Sequence, residues 1–143
     1  MKEKILISAC LLGVNCKYDG TNNDNDKVNE YIKDKELIII CPEIMGGLTT
    51  PREPSEILNE KVISKSGKDV TQNFKRGANE TLMLAKKFNV KKALLKSKSP
   101  SCGCGLIYDG TFNGKLIKGD GITTELLKKH GIEVLTEKDL NNI

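Results

Sequence analysis

The chain has 143 residues, 38% hydrophobic and 29% charged, with a formal net charge of +4 from 23 Lys and Arg against 19 Asp and Glu. That balance excludes a disordered tail, and no apolar run approaches the ~20 residues of a bilayer span, so no membrane partner is expected. The length suits one domain over residues 1–143, and Met1 to Lys4 leads straight into Ile5-Leu6-Ile7 with no apolar signal segment, which points to the cytoplasm.

In chain order, Lys4 to Ser8 is a short apolar run of the kind buried in parallel sheets. A loop rich in Gly, Asn and Asp follows from Gly13 to about Asp24. Residues 24–33 predict a short helix with Val28, Tyr31 and Ile32 on its inner face. Leu37 to Ile40 is a second, wholly apolar strand that ends at Cys41-Pro42. Glu43 to Pro54 carries two glycines and two prolines, so an irregular shaped loop is expected.

Lys61 to Val70 reads as a hairpin turning at Lys65-Ser66-Gly67. Thr71 is the expected N-cap of a long helix through Phe88, with Phe74, Ala78, Leu82 and Ala85 at helical spacing. Ala93 to Leu95 is a third strand, followed by a Ser/Pro/Gly/Cys loop from Lys96. Leu106 to Lys118 predicts a second hairpin around Asn113-Gly114. A short helix over residues 121–130, capped by Thr123, and a last strand over Ile132 to Leu135 complete the pattern. Strands alternating with helices imply an α/β fold: one Rossmann-like domain, an open and mostly parallel sheet with helices on both faces and hairpin insertions.

The five cysteines are an odd number, and a reducing compartment argues against disulfides, which leaves apolar filler, reactive thiols or metal ligands. Cys10 falls just past the first strand, Cys41 just past the second and Cys102 in the loop after the third. Ligands of open α/β sheets bind outside the carboxyl ends of the strands, so three cysteines from three strand ends converge on the functional edge. Three such thiolates can hold a soft metal or an iron–sulfur cluster. Glu43, Ser99 and Ser101 lie beside them and offer a carboxylate and hydroxyls for proton transfer and substrate anchoring. Cys16 can approach the same edge, whereas Cys104 is expected to point away.

Taken singly, these residues have plainer readings. A lone cysteine is usually filler, Glu43 caps a loop, and Ser99 and Ser101 shape turns. His130, the only histidine, sits in the last turn of a helix, where a cation suits the dipole, and is read as structural. Phosphate-binding glycine loops are absent, and a Cys-x5-Arg phosphatase loop fails because Cys16 stands where the arginine should be. No C-x-x-C pair occurs, which speaks against thioredoxin-type centres and zinc knuckles. The cations include only two arginines, Arg52 and Arg76, and an Arg-poor, aromatic-poor surface is a weak nucleic-acid footprint.

Three blocks together are distinctive. They are Ser8-Ala9-Cys10-Leu11-Leu12-Gly13 with Cys16-Lys17-Tyr18-Asp19-Gly20; Cys41-Pro42-Glu43 with Gly46-Gly47-Leu48 and Pro51-Arg52; and Ser99-Pro100-Ser101-Cys102-Gly103 followed by Ile107-Tyr108-Asp109-Gly110-Thr111-Phe112. In this order the chain resembles the thiouracil desulfidase family over nearly its whole length. The resemblance implies a 4Fe-4S cluster held by Cys10, Cys41 and Cys102, with one iron left open. It implies non-redox removal of sulfur from a thiolated uracil, 2- or 4-thiouracil or a nucleoside, giving uracil and hydrogen sulfide. Glu43 would activate water, and Ser99 would hold the base or move a proton, with Ser101 at the substrate. Cys104 departs from the family pattern and competes with Cys102 as a ligand.

The expected partner is a small thiolated pyrimidine. Three rivals stay open. One is a structural metal-binding module without turnover, the second a desulfidase acting on 4-thiouridine in transfer RNA. The third is a redox sensor using Cys10, Cys16 or Cys104.

Overall fold

The structure is a computed structural model and describes residues 2–142. Strand β1 (Glu3–Ser8) pairs in parallel with β2 (Lys35–Ile40), Ile5 opposite Leu37 and Ile7 opposite Ile39. On its other side β1 pairs with β5 (Lys92–Leu95), which pairs in turn with β8 (Glu133–Thr136), so the sheet order is β2-β1-β5-β8. The chain runs from β1 to one side of the sheet and returns to the other. The carboxyl ends next to β1 are therefore a topological switch point, where such sheets bind ligands.

Alternation along β1 divides the core. Ile5 and Ile7 pack with Cys10, Val28 and Leu140 beneath α1 (Asp26–Tyr31) and the C-terminal 3-10 turn (Glu137–Asn142). Leu6 points the opposite way, with Ala93 and Leu95, onto Leu82 and Ala85 of α3 (Thr71–Lys87) and Leu127 of α4 (Ile122–Lys129). The period of two thus puts helices on both faces, as expected. No helix among the described residues is long and apolar enough to cross a membrane.

Several local expectations shift. Helix α1 starts at Asp26 because the Asn25 side chain accepts from Lys27 N at 2.8 Å and from Val28 N at 3.3 Å. Strand β2 is wholly apolar at its end yet lies at the sheet edge, leaving Ile39 exposed. Within the expected loop after Cys41, Pro42–Met45 form a one-turn helix, α2, with Cys41 at its N-cap. Pro42 supplies a φ already suited to the first helical position. Thr71 is the first residue of α3 and not its cap; Asp69 Oδ1 accepts from Thr71 N at 2.9 Å. Thr123 does not cap α4 either. Gly121 does, the Thr123 hydroxyl is buried with no partner, and the first N–H groups of α4 reach the carbonyls of Pro100 and Ser101.

Both hairpins exist but are built differently. Strand β4 (Lys61–Ser64) pairs mainly with an unexpected β3 (Ser55–Leu58), through Asn59 and Glu60, both at positive φ. The expected return arm at Asp69 contributes a single bridge to Ile63. Four residues after a proline carry too little alternation to declare β3 by themselves. In the second hairpin, β6 (Leu106–Tyr108) and β7 (Leu116–Lys118) pair as expected. Their connection takes in residues 109–115, with Gly110, Phe112 and Gly114 at positive φ, and is not a tight Asn-Gly turn.

Candidate active site

The carboxyl edge of the sheet opens into a cavity of about 520 Å³, within the usual range of ligand pockets. Cys10, Cys41, Cys102, Glu43, Ser99 and Ser101 all line it, as does Cys16. Each arrives by a short local device. Cys10 enters on the 3-10 turn Ala9–Leu12 directly after β1, and Cys41 and Glu43 sit at the start of α2 directly after β2. The Cys102 loop is tied down from two sides. Ser99 Oγ accepts from Cys102 N at 2.7 Å, and the N-terminus of α4 holds the carbonyls behind it. Cys104 stands outside the cavity, its thiol 3.8 Å from the Val134 carbonyl. His130 is exposed at the far end of α4.

The second helix reaches this position because it touches α3 backbone to backbone. A Cβ on Gly77 would stand 1.8 Å from Pro42 O, and one on Gly46 would stand 2.0 Å from Asn73 O. Only glycine allows that approach.

Glu43 is held by both oxygens. Arg52 Nε donates to Oε1 at 3.0 Å, and Ser101 Oγ donates to Oε2 at 2.9 Å. Arg52 itself is fixed by Cys16 O (2.9 Å), Thr49 O (3.0 Å) and Thr50 Oγ1 (3.1 Å). The Ser101 hydroxyl also lies 3.5 Å from Cys102 Sγ, and that of Ser99 is 3.3 Å from Ser101 Oγ. A continuous polar chain therefore runs Arg52–Glu43–Ser101–Cys102. The sequence shows Arg52 only as part of a motif. Its standing as one of two arginines in a Lys-rich chain is the signal that could have marked it.

The thiols differ in acidity. A hydrogen bond from the Cys16 thiol lowers Cys10 from 9.0 to about 7, helped by the Asn23 amide 3.3 Å from its sulfur. The same thiol lowers Cys41 to about 7, with the Ile44 N–H as a further donor. Cys16 shows the reciprocal effect: next to Cys10 and Cys41 its single proton is held more tightly, and its own pKa is raised. Burial pushes Cys102 up to about 12, against the Ser101 and Ser8 hydroxyls. Beside them Lys96 Nζ pairs with Glu137 at 3.0 Å. Burial opposes the Glu137 charge, but the Ser97 N–H and Lys96 outweigh it and lower its pKa.

A 4Fe-4S cluster fits this donor set. Among the described residues no three His, Cys, Asp or Glu side chains close on a point as a single ion requires. The cysteines instead stand around a cavity, and in a cluster each thiolate binds its own iron. Two of them are poised to ionise, which metal binding requires. Hydroxyl and amide donors already point at Cys10 and Cys102 sulfur, the kind of contact that tunes a cluster.

Fold and site together define a small Rossmann-like α/β protein with a cysteine-lined cavity at its switch point. The chain belongs to the 2-thiouracil desulfurase family, whose sequence profile matches residues 5–139. It is 43% identical to the uncharacterized protein YbbK of Bacillus subtilis (strain 168), over 97% of this chain and 99% of that one. Among solved structures it resembles the [4Fe-4S]-dependent thiouracil desulfidase TudS at 45% identity and a TM-score of 0.92, covering 99% of this chain and 95% of that chain.

Proposed function

We propose that this protein is a cluster-dependent, non-redox desulfidase of a thiolated uracil, 2- or 4-thiouracil or its nucleoside, working as one domain in the reducing cytoplasm. The observation that carries the reading is the meeting of Cys10, Cys41 and Cys102 with the Arg52–Glu43–Ser101 chain on one cavity. Cys10, Cys41 and Cys102 would hold a 4Fe-4S cluster, leaving one iron without a protein ligand. When bound, the cluster supplies a Lewis-acidic site for the thiocarbonyl sulfur, a soft ligand for iron.

The chain's own residues supply the rest. Glu43 takes a proton from a water aimed at the thiocarbonyl carbon, and Arg52 keeps that carboxylate oriented. Ser101, expected only at the substrate, donates to Glu43 and so takes the proton relay to the departing sulfur. Ser99, expected to hold the base or move a proton, instead accepts from Cys102 N and fixes the loop that carries Ser101 and Cys102. The balance is C=S plus water giving C=O plus hydrogen sulfide, with no electron transferred.

Anaerobic purification and cluster reconstitution, with iron and sulfide counting, tests this directly. Loss of near-ultraviolet absorbance by 4-thiouracil, with 2-thiouracil alongside, reports turnover. Loaded protein should desulfurate and cluster-free protein should not. Cys10→Ser, Cys41→Ser and Cys102→Ser should each lose the cluster, and Cys104→Ser should retain it. Turnover without iron, or none with it, overturns the proposal.

Lys17, Lys65, Lys96 and Lys98 also line the cavity, and they favour a second reading in which the substrate is 4-thiouridine in transfer RNA. Faster turnover of modified transfer RNA than of free base or nucleoside would select it.

A further inference from the structure

We infer that Phe112 is the ring on which the substrate's pyrimidine stacks and that Glu56 positions it. The assignment rests on the desulfidase reading. The chain has three phenylalanines. Phe74 is buried in an apolar cluster and Phe88 is exposed at the end of α3. Phe112 belongs to none of the apolar clusters and lines the catalytic cavity, half-buried.

Its backbone is held in an unfavourable state to keep it there. Phe112 has φ 59, a left-handed conformation that a bulky residue resists. Glu56 enforces it: Oε1 accepts from Gly110 N at 3.0 Å and from Phe112 N at 3.1 Å. Glu56 as a residue is only 9% exposed. Gly110 seals the junction, because a Cβ there would stand 2.8 Å from Ile57 O and from Leu58 Cβ. The β3–β4 hairpin thus clamps the β6–β7 loop against the cavity. Strain without a packing reward is the mark of a functional constraint. A ring with no polar group, held rigidly at a cavity wall, suits a flat heteroaromatic base.

Uracil and 5,6-dihydrouracil distinguish stacking from simple filling, since they share polar groups but only uracil is planar. Their binding to cluster-loaded protein is measured by calorimetry, with 4-thiouracil KM and kcat alongside. Wild type should prefer uracil. Phe112→Ala should weaken uracil binding roughly five- to a hundredfold and lose the preference. Phe112→Tyr should keep it and Phe112→Leu should not. Glu56→Ala, with the loop released, should raise KM more than it lowers kcat.

An unchanged uracil-to-dihydrouracil ratio in Phe112→Ala, or equal binding by the Leu and Tyr variants, overturns the assignment. Cluster content and the unfolding midpoint confirm that each variant is folded. Loaded wild type that leaves 4-thiouracil intact overturns the desulfidase reading instead.

Discussion

Replacing Arg52 by Met tests whether the Arg52–Glu43 pair is a buried element or a surface contact. The Arg52 side chain is 9% exposed and that of Glu43 16%, with Nε 3.0 Å from Oε1. Removing one partner of a buried pair costs ~3–5 kcal/mol, most of it from the charge left unpaired. Arg52 also donates to the carbonyls of Cys16 and Thr49, so its removal leaves those acceptors without this donor as well. Glu43 borders a cavity that admits water, which places the expected loss near the lower figure, ~3 kcal/mol. At ~2–4 °C per kcal/mol for a chain of this size, the melting temperature should fall by roughly 6–12 °C.

Urea unfolding of cluster-free protein, followed by circular dichroism, measures the loss in Arg52→Met, Glu43→Gln and the double variant. If the unpaired charge dominates, the double variant should be more stable than Arg52→Met alone. A loss below ~1 kcal/mol, as exposed pairs show, would refute the argument. So would additivity of the two changes to within ~0.5 kcal/mol.

Glu43→Gln in loaded protein should lower turnover by ~10²–10⁴ with iron content unchanged, the usual scale for a lost general base; wild-type turnover would remove Glu43 from the mechanism. In cluster-free protein, the pH dependence of iodoacetamide labelling should place the Cys10 and Cys41 midpoints near 7, with Cys102 unlabelled below about 12. Because folding lowers the first two from 9.0, their contribution to stability is full above pH 9 and is lost as pH falls through 7. Cys102 has the opposite sign: its contribution is full below pH 9 and is lost as pH rises through about 12. Urea midpoints across pH check both signs. Gly77→Ala should destabilise by ~1–3 kcal/mol in the same unfolding assay, although alanine normally favours a helix, because its Cβ would meet Pro42 O; a gain in stability would disprove the contact.

The sequence by itself determined the architecture and the address of the site. Apolar runs and helical spacing are local signals, so β1, β2, β5, β8, α3 and the β6–β7 hairpin are legible from residue order. Once the strands are drawn, Cys10, Cys41 and Cys102 fall at their ends. Tertiary structure decided which side chains act on which. Ser101 reaches Glu43 across 58 residues, and Glu56 holds Phe112 across 56. Arg52 pairs with Glu43 only after the chain between them folds back. Cys16, undecided in the sequence, lines the same cavity as Cys10 and Cys41 and lowers the pKa of both. Such pairings depend on sheet order and on backbone contacts such as Gly77 against Pro42, and neither leaves a periodic trace in the residues concerned.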